Sequence, residues 1–142
     1  MTEPSTRRRR ARSLAVVTAA AAVTAACIRW RPSRVEVSGD SMDPTLMPGD
    51  WLLAVPARRL RVGHVVVVGH PDRAGFEIVK RIFAGPGDVA PDGSILGADD
   101  WWIEGDNIDA STDSYRFGAV SRALIHLRIR AIYAPVARRR LL

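Results

Sequence analysis

Ser38-Gly39-Asp40-Ser41-Met42-Asp43-Pro44-Thr45-Leu46-Met47-Pro48-Gly49-Asp50 separates two β-like runs, Val35-Glu36-Val37 and Trp51-Leu52-Leu53-Ala54-Val55. Gly39, Pro44, Pro48 and Gly49 fix or free the backbone at four places, so the stretch reads as a shaped loop between strands. The same alternation continues outward: short runs of β-formers punctuated by Gly, Pro and Asp, with no long 3.6-residue period competing. Strands are predicted near residues 35–37, 50–55, 64–69, 76–84, 100–104 and 124–133. In the last, Ile125, Leu127, Ile129 and Ala131 are expected to face inward, and His126, Arg128 and Arg130 outward. These runs predict a mainly antiparallel β fold, a compact, partly closed barrel or a sandwich.

A serine on a loop at a strand end can project its hydroxyl out of the sheet, although most such serines are solvated or cap a turn. Lys80 gives Ser41 more weight. The chain has 20 Arg and a single Lys. Arg cannot release its proton near neutral pH, whereas a desolvated Lys can. Lys80 lies in Phe76-Glu77-Ile78-Val79-Lys80-Arg81-Ile82-Phe83-Ala84. Period-two alternation puts Phe76, Ile78 and Ile82 on its face, with Glu77 and Arg81 opposite. An ammonium among apolar neighbours has a lowered pKa and can supply a neutral amine. The competing reading is a lysine whose stem packs on the sheet and whose head reaches water.

Taken together, these stretches resemble the type I signal peptidases, the S26 serine proteases. Ser41-Met42, Pro44-Thr45-Leu46 and Gly49-Asp50 resemble that family's nucleophile box. Lys80-Arg81-Ile82 with Gly85-Pro86-Gly87-Asp88 resembles its general-base box. Gly105-Asp106-Asn107, Ser111, Asp113-Ser114 and Gly118 resemble its last box. Val62-Gly63-His64-Val65-Val66-Val67-Val68 resembles the intervening strand, with Gly63-His64 where Gly-Asp is usual. The resemblance runs in order from about Val35 to the end.

The resemblance implies a β-rich catalytic core without the large inserted subdomain of longer members. It makes Ser41 the nucleophile and Lys80 the general base. Ser111 and Asp113 would hold the lysine, and Met42, Pro44, Gly105, Asp106 and Asn107 would belong to the supporting motifs. Some members carry an oxyanion-stabilising serine two residues before the nucleophile. Gly39 stands there, so the Ser41 backbone N–H is the expected donor. Arg usually follows the Asp-Ser pair of the last box. Here Tyr115-Arg116 follows, a shift that weakens the salt bridge expected with Asp113. The resemblance also implies substrates with small residues at −1 and −3, docked as an added strand near Val37–Gly39 and Glu77–Val79. No cofactor and no metal are expected: His64, His70 and His126 are scattered, and no Cys/His spacing suits a metal.

Charge is unevenly placed. Residues 1–34 hold eight Arg and one Glu, a net +7; the remainder holds 13 basic and 14 acidic groups, a net −1. The near-neutral domain gives no reason to expect nucleic acid as a partner. Residues 1–12 read as a basic cytoplasmic tail and residues 13–30 as a transmembrane anchor. The uncharged stretch Ser13–Ile28 is short for a span, but Arg side chains can snorkel at both ends. A cleavable signal and a lipidated Cys27, the only cysteine, are the competing readings. Five Arg before the segment against three after it put the N-terminus in the cytoplasm. Residues 31–142 would form the catalytic domain, outside the cell membrane on a single-pass anchor. Trp51, Trp101 and Trp102 are either core or an apolar rim facing the lipid bilayer. Ala84-Gly85-Pro86-Gly87-Asp88 reads as a turn, because no Gly-Lys-Ser/Thr follows.

The function expected is a membrane-anchored serine endopeptidase. It would cleave signal peptides or pro-segments from exported precursor proteins through a Ser-Lys dyad and an acyl-enzyme. One alternative is a dedicated maturation protease, since short relatives are thought to trim the nickel superoxide dismutase precursor. A second is a non-catalytic, membrane-anchored β-domain that only binds peptides. A Ser-His-Asp hydrolase is disfavoured, because Gly39-Asp40-Ser41-Met42-Asp43 is no Gly-x-Ser-x-Gly elbow.

Overall fold

A computed structural model describes Val16, Thr18, residues 20–25 and residues 32–142. The chain divides into two units, Met1–Arg31 and Pro32–Leu142. In the first, the described residues are helical. Most of the anchor expected over residues 13–30 lies outside the described residues, and no described helix is long and apolar enough to cross a membrane.

The second unit is built on eight strands: β1 (Ser33–Glu36), β2 (Trp51–Pro56), β3 (Val65–Gly69), β4 (Glu77–Ala84), β5 (Asp100–Glu104), β6 (Val120–Ser121), β7 (Ile125–Ala134) and β8 (Arg140–Leu141). They form one sheet in the order β1-β2-β7-β3-β4-β5-β6, with β8 added to β7. Every pairing is antiparallel. A one-turn helix, α1 (Ser114–Phe117), is the only α-helix of this unit. All six predicted strands are present. The two-residue β6 and β8 were not predicted, because two residues carry no period.

The four consecutive valines of β3 are all buried, since both faces of the central sheet are covered. Val65 and Val67 pack in one cluster with Val37, Met42, Leu46, Leu52 and Ile129. Val66 and Val68 pack in another with Ile82, Ile103, Val120 and Ile125. The wall of the nucleophile-like loop and the floor of the sheet therefore share one core.

Two expectations are corrected. First, the sheet, expected as a partly closed barrel or a sandwich, is not closed: among the described residues no pairing joins β1 to β6. The end strands are short and each has one partner, four-residue β1 with β2 and two-residue β6 with β5, and within the sheet the pairing of β4 with β5 begins only at Arg81. Glu77 to Lys80 are left with one uncovered edge. Second, the inward alternation of β7 fails beyond Ile129. Ile132 is buried instead of Ala131, and Arg128 and Arg130 are half-buried. Leu52 pairs with Ile132 and Ala54 with Ile129, so two steps on β2 face three on β7. That bulge turns Ile129 and Ile132 to the same core.

Of the tryptophans, Trp102 is core and Trp51 is partly exposed. Trp101 lies against Gly85, where an added Cβ would stand 2.9 Å from its ring. Residues 85–88 do form a turn, with Asp88 N–H donating to Gly85 O at 3.0 Å and Gly87 at φ 85°.

Candidate active site

The loop from Ser38 to Asp50 is closed at its base by two backbone hydrogen bonds: Val37 N–H to Asp50 O at 3.0 Å and Gly49 N–H to Val37 O at 2.8 Å. Gly49 sits at φ 85°, a left-handed conformation that a side chain would strain. Inside the loop Asp43 N–H reaches Asp40 O at 3.0 Å, and Leu46 N–H reaches Met42 O at 2.8 Å. Met42 and Leu46 are buried in the core, which anchors the loop on both sides of its turn. Ser41, immediately before the Met42 anchor, is half-exposed.

A second loop, which follows β5, grips the first. Asn107 N–H donates to Ser41 O at 3.0 Å, and its side-chain amide donates to Asp40 O at 3.1 Å. Gly105 is the point of closest approach. A Cβ there would collide with Ser41 O and with the Ser111 hydroxyl, so only glycine fits. Asp106 makes a bidentate pair with Arg81, Nε to Oδ1 at 2.8 Å and Nη2 to Oδ2 at 2.6 Å. Burial alone would push the Asp106 carboxyl up, but the Arg81 guanidinium and the Thr45 hydroxyl hold it below the usual range. This pair ties β4 to the second loop, and Thr45 ties in the first.

Lys80 is 2% exposed, the most buried charged side chain after Asp50 among the described residues. Its Nζ lies 2.8 Å from Ser111 Oγ, which lies 2.6 Å from Asp113 Oδ2. Burial pulls the Lys80 pKa down, against the opposing fields of Asp113 and Asp106. The Asp113 carboxylate also accepts from Gly105 N–H at 3.0 Å and from Tyr115 N–H at 3.2 Å, the latter capping α1. Among the described residues it makes no ion pair. The salt bridge that the shifted Arg116 was expected to weaken is absent, and neutral donors satisfy the carboxylate instead.

Ser41 and Lys80 line one cleft of about 500 Å3, together with Val37, Gly39, Met42 and Val79. One wall is the segment from Val35 to Ser38 and the other is the start of β4. Phe76 O accepts from His70 N–H, and Ile82 bonds His64 and Gly63, so even-numbered residues of this strand bond toward β3. Glu77 and Val79 therefore turn their N–H and C=O groups the other way, along the edge that β5 leaves uncovered.

Each sequence-predicted site residue thus falls in this region. Ser41, Lys80, Gly39 and Met42 line the cleft. Ser111, Asp113, Gly105, Asp106 and Asn107 form the scaffold around it, and Pro44 lies on the exposed far side of the first loop. Lys80 hydrogen-bonds Ser111 rather than Ser41. Sequence reasoning did not single out Arg138, whose guanidinium pairs with Asp50 at the loop base. Its signal was hidden in the run Arg138-Arg139-Arg140. Among the described residues no cluster of three or more His, Cys, Asp or Glu is placed to hold a metal ion.

The sequence model described as "Signal peptidase, peptidase S26" matches residues 8–91, which include Ser41 and Lys80. The mitochondrial inner membrane protease subunit 1 of Xenopus tropicalis is 35% identical over 105 residues, 65% of this chain and 63% of that protein. The protein of the same name in Schizosaccharomyces pombe is 37% identical over 111 residues, 69% of this chain and 71% of its own. Signal peptidase I of Streptococcus pneumoniae is 41% identical over 58 residues, 40% of this chain and 28% of that one. The chain thus spans less than two thirds of the length of the Xenopus relative.

Proposed function

The chain belongs to the signal peptidase family, peptidase S26, and on that premise we propose that it is a serine endopeptidase whose Ser41 and Lys80 form a catalytic dyad. The observation that carries this reading is the burial of the only lysine, 2% exposed, in the wall of the cleft that also holds Ser41. A serine hydroxyl is a weak nucleophile until a base takes its proton, and a desolvated amine serves as that base.

In the proposed reaction Ser41 Oγ attacks the scissile carbonyl while its proton passes to Lys80 Nζ. The Ser41 N–H stabilises the resulting oxyanion, with no side-chain donor at Gly39. Lys80 then returns the proton to the departing amine, leaving an acyl-enzyme. Water, deprotonated by Lys80, hydrolyses the ester and restores Ser41. The ammonium that forms on Lys80 is held by Ser111 and, through it, by Asp113.

The substrate is an extended segment of an exported precursor, taken as a strand along the open edge of Glu77 and Val79. Residues 13–30 attach the domain to the membrane with residues 31–142 on the outer side. Relatives named for an inner membrane support attachment.

The test is cleavage of a secretory preprotein with an Ala-x-Ala site by purified enzyme beside Ser41→Ala. Site-specific cleavage that disappears in the variant is expected. A folded wild type that leaves the preprotein intact overturns the signal-peptidase reading and points to a single dedicated precursor or to peptide binding alone.

A further inference from the structure

Asp50 closes the base of the Ser41 loop and is 1% exposed. A carboxylate so buried needs an opposite charge and filled acceptor sites. One oxygen, Oδ2, accepts from Met47 N–H at 2.9 Å, a bond within the loop itself. The charge is met from the other end of the chain. Arg138 Nε reaches Oδ1 at 2.8 Å and its Nη2 reaches Oδ2 at 2.9 Å, a bidentate fork. The same Nη2 faces Thr45 O at 3.4 Å and Pro44 O at 3.5 Å, and Arg140 donates to Thr45 O as well.

Arg138 is held in place to do this. It ends a 3-10 turn, Val136–Arg138, between β7 and β8. Ala131 pairs with Leu141 and Ile132 with Arg140, so the hairpin fixes both arginines against the sheet. The loop is consequently gripped from two sides. Asn107 holds the carbonyls of Asp40 and Ser41, and Arg138 holds the segment from Pro44 to Asp50. Ser41 stands at the first of these grips, and the second begins three residues later, at Pro44.

We infer that Arg138 is a positioning residue for Ser41, and that the C-terminal hairpin is a strap fixing the loop in the conformation used for attack. The inference rests on the protease reading above. Arg138 would act through the loop, because its side chain hydrogen-bonds Asp50, Pro44 and Thr45, none of which lines the cleft.

The test compares wild type, Arg138→Ala, Arg138→Lys and Asp50→Asn in the full chain by two readouts. The first is steady-state cleavage of the preprotein. A nucleophile displaced by about 1 Å loses rate rather than binding, so kcat is expected to fall roughly 10- to 100-fold in Arg138→Ala with KM within about twofold. Arg138→Lys, which keeps the charge, recovers part of kcat. The second readout is hydrogen exchange. The amides of Leu46, Met47, Gly49 and Asp50 should exchange at least about tenfold faster in Arg138→Ala, with β3 and β4 unchanged.

Unchanged kcat in folded Arg138→Ala, or a fall in kcat matched by faster exchange throughout the sheet, overturns the inference. If Arg138→Ala does not fold, Asp50→Asn decides, because it keeps the side-chain shape and removes the charge. An inactive wild type strikes the protease reading alone. Exchange then decides the strap: localised acceleration supports it, and none overturns it.

Discussion

Lys80 Nζ and Ser111 Oγ stand 2.8 Å apart beside the cleft, and Ser111 passes the contact on to Asp113 at 2.6 Å. The lysine head therefore has one direction fixed by a hydroxyl whose own orientation is fixed by a carboxylate. Ser111→Ala removes that guide without adding bulk. It is expected to lower kcat roughly 10- to 100-fold while leaving the fold intact, as misorientation of a catalytic group does. Single-turnover cleavage with a circular dichroism melt checks both halves of the expectation.

The proton chemistry predicts a pH profile. Lys80 must be neutral to act as base, and burial sets its pKa below 10.5. The rate constant kcat/KM should rise with pH about tenfold per unit and level off at a pH below 10.5. Lys80→Arg keeps a charge but offers no base, and its activity should fall by several orders of magnitude. Near-normal turnover of that variant contradicts the dyad.

The same shift has a consequence for stability. A basic group with a lowered folded pKa binds its proton more weakly in the native state than in the unfolded chain. Stability therefore rises with pH across the window between the folded pKa and 10.5, and the charged form is penalised below it. Urea titrations on either side of that window should show a rise in wild type that Lys80→Met lacks.

Gly105 carries the tightest packing between the two loops. Gly105→Ala forces its methyl into Ser41 O and the Ser111 hydroxyl. Overpacking of this kind costs about 1–3 kcal/mol, and here it also displaces the nucleophile and the partner of its base. Loss of activity out of proportion to the fall in melting temperature is the expected result.

Gly39 behaves in the opposite way. An added Cβ meets no atom within 4 Å, and no positive φ holds the position for glycine. Gly39→Ser should fold as wild type does and retain cleavage. If its hydroxyl faces the oxyanion, kcat should rise with KM little changed. Loss of the fold in this variant would contradict the open space beside Ser41.

Much of the site was legible because its signals were local. The Gly and Pro positions of the Ser41 loop, the lone lysine among arginines, and the order of the motifs all stand in the chain itself. So did the six strands and the turn at Gly85-Pro86-Gly87-Asp88. The departure at Tyr115-Arg116 was also visible, and Asp113 makes no ion pair with an arginine among the described residues. Less legible were contacts between residues far apart in sequence. Asp50 and Arg138 lie 88 positions apart, and nothing in a run of three arginines marks the one that is paired.

Period and turn chemistry act over a few residues, so the sequence by itself determined the strands, the shaped loop and the identity of the candidate nucleophile and base. Tertiary structure decided what depends on register and on summed packing. The bulge between β2 and β7 exchanged Ala131 for Ile132 in the core, and the late start of the β4–β5 pairing kept the sheet open where the cleft lies. Lys80 reached its environment in the same way. Alternation chose its face, whereas its burial beside Ser111, 31 positions away in the chain, came from tertiary packing and pulls its pKa down.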